Sequence, residues 1–209
     1  MARPRKFTET TRRALIRDAA EQILAGGVDS VSLRPLAAKH GCSTTAIYTM
    51  FGSRDGLIAA VRDEAIVSYR RAQDAALTPG PPLPNLLAMG QAARRWALAY
   101  PELYHVIVGR GGPWRGSRRH DGREVPDPAE LAETAMGPIH ELIHAALREG
   151  TFHGGSAVQI GASLWTGVHG WLSIEMVRPV IPHADPDAAY DRHVRALLRA
   201  WCADTPFRH

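Results

Sequence analysis

Apolar residues recur at helical spacing along almost the whole chain, and Gly, Pro or a capping hydroxyl stands at nearly every break. From Thr8, an N-cap candidate, Leu15, Ile16, Ala19, Ile23 and Leu24 define the inner face of a first helix that Gly26-Gly27 ends. A short second helix starts at Ser32, with Pro35 in its first turn, where a missing N–H does no harm, and stops at Gly41. Ser43 caps a third, with Ile47 and Phe51 inward and Gly52 closing it. Ser53 caps a fourth, running through Leu57, Ile58, Val61, Ala65 and Ile66 toward Leu77.

The stretch from Thr78 to Pro84 holds four prolines and reads as a hinge. Beyond it the pattern predicts helices over about 85–100, 102–108, 128–149, 156–178 and 186–202, with a polar, Gly- and Arg-rich loop over 109–126. No stretch alternates as a strand does. The expected fold is all-α with about nine helices: a three-helix N-terminal domain over 1–55 and a helical domain over 56–209.

Composition adds little until the charge is located. Of the 25 Lys and Arg, eight lie in residues 1–50 (Arg3, Arg5, Lys6, Arg12, Arg13, Arg17, Arg34, Lys39), against four of the 21 Asp and Glu, which leaves 17 of each sign for the rest. All of the net +4 therefore sits in the N-terminal quarter, the asymmetry of a protein that presents one end to a polyanion. No apolar run reaches the roughly 18 residues needed to span a bilayer, and Met1-Ala-Arg-Pro-Arg-Lys6 leads into polar residues rather than a signal-type stretch. Cys42 and Cys202 match no zinc or redox spacing. These features predict a cytoplasmic protein with plain thiols, no membrane partner and no cofactor.

The second and third helices are short and joined through Gly41-Cys42, the form of a helix-turn-helix. In such a pair the second helix enters the major groove and reads base edges with its N-terminal residues. Here those are Ser43, Thr44 and Thr45, whose hydroxyls suit phosphates or base edges and whose Thr methyls suit the thymine methyl.

The run Cys42-Ser43-Thr44-Thr45-Ala46-Ile47-Tyr48-Thr49-Met50-Phe51-Gly52-Ser53-Arg54-Asp55-Gly56-Leu57 resembles the signature of the TetR (tetracycline-repressor-like) regulators. The approach Gly27-x-x-x-Val31-Ser32-Leu33-Arg34-x-Leu36-Ala37 is similar too. Two departures stand out: Arg54 occupies a position where Lys is usual, and Gly56 one where a better helix former is common, which predicts a looser start to the fourth helix. The resemblance implies a homodimeric repressor on a near-palindromic operator in double-stranded DNA. It implies that Tyr48 and Arg54 hold phosphates, that Ser32 and Arg34 add phosphate contacts, and that Thr44, Thr45 and Thr49 read bases. Arg3, Arg5 and Lys6 would form a basic arm for backbone or minor-groove contacts.

In the C-terminal half, Trp165-x-x-x-His169-Gly170 resembles the Trp-His-Gly pattern of one branch of that family. The resemblance implies that the last two helices form a four-helix bundle with their mates in a second subunit. A pocket for a small, largely apolar effector would be lined from Trp96, Tyr100, Tyr104, Met136, His140, Trp165 and His169.

Two other readings compete. His140-Glu141-Leu142-Ile143-His144 is formally H-E-x-x-H, which on a helix sets two imidazoles and a glutamate together as in zinc peptidases. Such a site needs a third ligand, for which Glu175 or His169 is available, and an open cleft, which nothing in the sequence suggests. An architectural DNA binder without an effector would share the basic N-terminus but not need the long apolar body. The balance predicts a regulator, not an enzyme.

Overall fold

Local capping chemistry starts most of the helices. The computed structural model describes residues 8–108, 128–177 and 185–202, with the backbone alone for 128–135. Among these residues are nine helices and no strand. They are α1 (Glu9–Gly26), α2 (Leu33–Lys39), α3 (Thr44–Phe51), α4 (Arg54–Asp74), α5 (Pro82–Ala99), α6 (Pro101–Ile107), α7 (Pro128–Arg148), α8 (Ala157–Val177) and α9 (Pro186–Arg199). Thr8 caps α1 by accepting from the Thr11 N–H, Ser43 caps α3 through the Ala46 N–H at 3.1 Å, and Ser53 accepts from the Gly56 N–H at 2.9 Å. Before α8, Ser156 and Gln159 cap one another: the Gln159 carbonyl oxygen accepts from the Ser156 N–H at 2.9 Å, and the Ser156 hydroxyl from the Gln159 N–H. Asp185 caps α9 through the Ala188 N–H at 3.0 Å, with Pro186 at the first helical position. The basic arm of Arg3, Arg5 and Lys6 and the loop 109–126 lie outside the described residues.

The expected hinge is a closed turn. α5 begins at Pro82, three residues earlier than its apolar pattern predicts, because both Pro82 and Pro84 fit the first turn, where no N–H is needed. The buried Asn85 clasps the approach to it: its Oδ1 accepts from the Thr78 N–H at 2.9 Å and its Nδ2 donates to the Thr78 carbonyl at 2.8 Å.

The chain divides into two compact units, Met1–Ser68 with Tyr100–Leu131, and Tyr69–Ala99 with Ala132–His209. In the first, α2 and α3 pack as a pair on α1, and α6 lies against α1. Its core is Leu15, Ile16, Ala19, Leu36, Ile47, Leu57 and Val61, all essentially buried. Leu24, expected on the inner face of α1, is exposed instead, in the last turn of the helix, which ends two residues later.

In the second unit α5, α8 and α9 pack mutually around Met89, Ile160, Leu172, Tyr190 and Leu198. The α8–α9 crossing is close because Gly167 has no side chain: a Cβ there would stand 2.5 Å from Leu197 Cδ1. His193 bonds the Gly167 carbonyl from the facing helix through Nε2 at 3.0 Å.

Candidate nucleic-acid interface and ligand cavity

α3 is two-sided. Ala46, Ile47 and Phe51 are buried, whereas Thr45, Tyr48 and Thr49, set three and four residues apart and so on one face, are exposed. Thr44 at the first helical position is half-buried, and Tyr48 is 50% exposed, a large aromatic side chain turned to water rather than to the core. Thr49 donates its hydroxyl to the Thr45 carbonyl at 2.9 Å, which leaves its oxygen free to act as an acceptor. Ser43, as the cap, has its oxygen engaged in the helix itself.

The helices behind this face are held by contacts that the sequence pattern did not reveal. Asp18 on α1 is only 4% exposed and accepts from Lys39 Nζ at 2.7 Å and His40 Nε2 at 2.8 Å, both at the end of α2. It thereby fixes where the helix-turn-helix begins its turn. Burial alone would raise the Asp18 carboxyl, but hydrogen bonds from Lys39 and His40 and the charges beside it outweigh that and hold it below the usual carboxylate range. Because the folded value lies below an unfolded value of about 3.9, the stabilisation is complete at neutral pH and is lost as pH falls through the folded value. The stability difference between wild type and Asp18→Asn is therefore expected to hold steady, at about 1–2 kcal/mol, from pH 7 down to about 5 and to shrink below pH 4. Urea titrations at each pH measure it, and a difference that persisted unchanged at the lowest pH would contradict this role.

Arg54, expected to hold a phosphate, faces inward. Its Nε donates to the Val31 carbonyl at 3.0 Å and its Nη2 to the Val28 carbonyl, while Nη1 stands 3.6 Å from Asp55. The guanidinium thus ties the start of α4 to the 3-10 turn Val28–Ser30 between α1 and α2. Ser32, by contrast, caps α2 without a side-chain hydrogen bond, and its N–H donates to Gln22 Oε1 at 2.8 Å, so its hydroxyl is at the exposed surface beside Arg34. Arg12 of α1 lies 5.3 Å over the Phe51 ring and covers the inner side of α3.

The second unit holds a cavity of about 470 Å³, its open mouth included. α5, α8 and α9 supply most of its wall through residues such as Met89, Leu164, Val168 and Val194, with Ile139 of α7 and Tyr69 of α4 beside them. Of the expected lining, Trp165 borders it. Trp96 is buried behind the wall, edge-on to Tyr69 with ring centroids 5.1 Å apart. His169 stacks on Trp165 at 5.9 Å, and His140 is half-buried against Gly161. Tyr100 and Tyr104 belong to the first unit, carried there by the packing of α6 on α1, and do not border the cavity.

The wall includes Gln73, which sequence reasoning missed. It is completely buried, and neither its carbonyl oxygen nor its amide nitrogen has a hydrogen-bond partner among the described residues. Each unmade bond of that kind costs about 1–3 kcal/mol. The only sequence signal was a polar residue at an inward position of an amphipathic helix, four after Tyr69.

The zinc reading gains no third ligand among the described residues. Glu141 and His144 are exposed, and no group of three metal-capable side chains occurs among the described residues. Glu175 is engaged elsewhere, accepting from Arg94 Nη2 at 2.7 Å and from Trp171 Nε1 at 3.1 Å.

A short helix pair with a polar, aromatic-bearing outer face on a basic N-terminal unit, followed by a helical unit with an apolar cavity, defines a ligand-responsive DNA-binding regulator. Comparison with known families agrees: residues 15–61 match the bacterial regulatory proteins of the tetR family, and residues 86–197 match the tetracyclin repressor-like C-terminal domain. The chain belongs to the TetR family of transcription regulators. Comparison with curated protein sequences gives no match.

Among solved structures the chain is similar to a protein of unknown function from Rhodococcus sp. RHA1, at 21% identity and a TM-score of 0.75 over 96% of this chain and 100% of that one. It is similar to the TetR family regulator PfmR from Thermus thermophilus, at 16% identity and a TM-score of 0.65 over 91% and 99%. The ketosteroid regulator KstR2 of Mycobacterium tuberculosis gives 14% identity and a TM-score of 0.65 over 97% and 100%. At these identities the likeness is one of fold. Regulators of this family bind operator DNA and act as dimers with small-molecule effectors. No helix among the described residues is long and apolar enough to cross a membrane.

Proposed function

We propose that this chain is a homodimeric repressor, without catalytic activity, that leaves a near-palindromic operator when a small, largely apolar ligand enters the cavity of its second unit. The observation that carries the DNA-binding part is the outward face of α3, where Thr45, Tyr48 and Thr49 stand exposed over a buried Ala46, Ile47 and Phe51. Thr44 and Thr45 read base edges, Thr49 adds an apolar contact through its methyl, and Tyr48 donates its phenol to a phosphate. Ser32 and Arg34 hold the backbone beside it, and Ser43 acts chiefly by keeping α3 folded. Arg54 acts on DNA indirectly, by fixing the turn that sets α2.

The dimer forms through α8 and α9. Val158, Ile174 and Val177 leave α8 with exposed apolar surface that a two-fold partner covers. Two recognition helices then meet half-sites about 34–36 Å apart, or a multiple of that. The ligand acts by binding tighter to a dimer whose helices no longer match successive grooves.

Selection of bound DNA from a random pool tests the assignment. Thr45→Ala, and to a lesser degree Thr44→Ala, is expected to relax base preference at one position per half-site by about tenfold. Tyr48→Phe is expected to weaken binding several-fold on all sequences alike. Unchanged preference and affinity in all three variants would remove α3 from the interface.

A further inference from the structure

The cavity has a single unpartnered carboxamide in its described wall, and we infer that Gln73 selects its ligand: a neutral, mostly apolar molecule presenting an N–H beside a C=O, as a lactam or cis amide does. The inference rests on reading this cavity as the effector site, and it names the chemistry that the site accepts. The side chain is 0% exposed, so neither outside water nor a water-sized guest in the cavity as it stands reaches it, and a ligand pairs with it by widening the wall at α4; both of its polar atoms lack partners among the described residues. A primary carboxamide offers an acceptor and a donor side by side in one plane. The group that satisfies both at once offers the reverse pair in the same spacing, and the edge of a lactam does so. A ketone, ester or ether accepts from Nε2 and leaves Oε1 unpaired, and a hydrocarbon leaves both unpaired.

The rest of the wall decides the remainder of the ligand. Among the described residues no charged side chain borders the cavity, so a carboxylate or ammonium would enter without a counter-charge and lose its hydration uncompensated. Met89, Leu164, Val168 and Val194 present only apolar surface, which rewards an alkyl or alicyclic body. Helical position sets the direction of reading. Gln73 sits one turn beyond Tyr69 on α4, so the polar edge of the ligand faces α4 and its apolar body faces α5, α8 and α9.

The test uses the full-length protein and three compounds of one shape: 4-butylpiperidin-2-one, 4-butylcyclohexanone and butylcyclohexane. Isothermal titration and thermal shift are run on wild type, Gln73→Leu and Gln73→Met. Wild type is expected to bind the lactam about tenfold or more tighter than the ketone, and the hydrocarbon weakest. Both variants are expected to lose the lactam preference and to bind the hydrocarbon at least as well as the lactam. Their apo melting temperatures are expected to equal or exceed that of wild type, since an unsatisfied buried amide has been removed. If wild type binds all three compounds alike, or if the variants keep the lactam preference, the role of Gln73 is overturned while the cavity remains a ligand site. If none of the three, the hydrocarbon included, binds or shifts wild type, the cavity reading falls and this inference falls with it.

Discussion

A Gly56→Ala protein is expected to lose about 3 kcal/mol or more of stability in the helix-turn-helix unit, and DNA binding with it. Helix propensity alone predicts the opposite sign, a gain of about 1 kcal/mol, because alanine is the better helix former. The structure reverses that expectation. A Cβ on Gly56 would stand 1.9 Å from the carbonyl oxygen of Phe51, and that oxygen is backbone, at the end of α3, with no rotamer to swing away. The Phe51 ring is anchored in the core beneath Arg12. Relief therefore requires either that α4 unwind its first turn, breaking the bond from the Gly56 N–H to Ser53, or that the end of α3 move. Moving α3 re-aims Tyr48 and Thr49 within a turn of the clash. Urea unfolding and binding to selected DNA measure both effects, and an alanine variant as stable as wild type would mean that the close approach is absent in solution. The glycine that departs from the family pattern is thus a requirement of the tight α3–α4 turn rather than a weak spot.

The second large effect is expected at Glu175. Arg94 of α5 is mostly buried and bonds Glu175 of α8 through Nε and Nη2, and Asp187 at the start of α9 through Nη1 at 2.6 Å. Tyr190 lies 5.3 Å beneath the guanidinium, and Trp171 adds an N–H to the same carboxylate. Hydrogen bonds from Arg94 to Glu175 and then to Asp187 outweigh the burial and hold the guanidinium above its ordinary pKa. One cluster joins the three helices that enclose most of the cavity. Removing one partner of a buried pair costs about 3–5 kcal/mol, since the other charge is left uncompensated. Glu175 keeps some exposure and Asp187 remains, so Glu175→Gln is expected to cost about 2–4 kcal/mol. The double variant Arg94→Met with Glu175→Leu is expected to recover part of that loss, because no buried charge is left stranded and Asp187, 87% exposed, stays hydrated. Equal losses in the single and double variants would show that packing, not charge, holds this corner.

Much of the helix-turn-helix was legible because its signals act over three or four residues. Thr8, Ser43 and Ser53 cap their own helices, and Gly52 ends α3 with a positive φ of 78°. Tyr48 could be set apart from Ile47 and Phe51 by helical period alone. The role of Arg54 could not, since its acceptors lie 23 and 26 residues upstream, and nothing in the run from Ser53 to Leu57 signals that its fork turns back toward the protein. Asp18 counted only as a charge against the basic N-terminus until α2 brought Lys39 and His40 to it.

The cavity shows the same division more sharply. Aromatic and His residues in the C-terminal half predicted an apolar pocket with polar handles; of those residues Trp165 borders the cavity, and Tyr100 and Tyr104 join the first unit. Period and caps determined where the helices run, which residues of α3 face out and that the basic charge lies at the N-terminal end, because each is a property of neighbours along the chain. Only the tertiary structure decided that Gly56 cannot carry a Cβ, that Arg94 meets a carboxylate 81 residues away and that Gln73 is buried without a partner among the described residues. Those outcomes depend on which side chains the packing of helices brings within a few ångströms, and helical period fixes the face a residue occupies but not what stands opposite it.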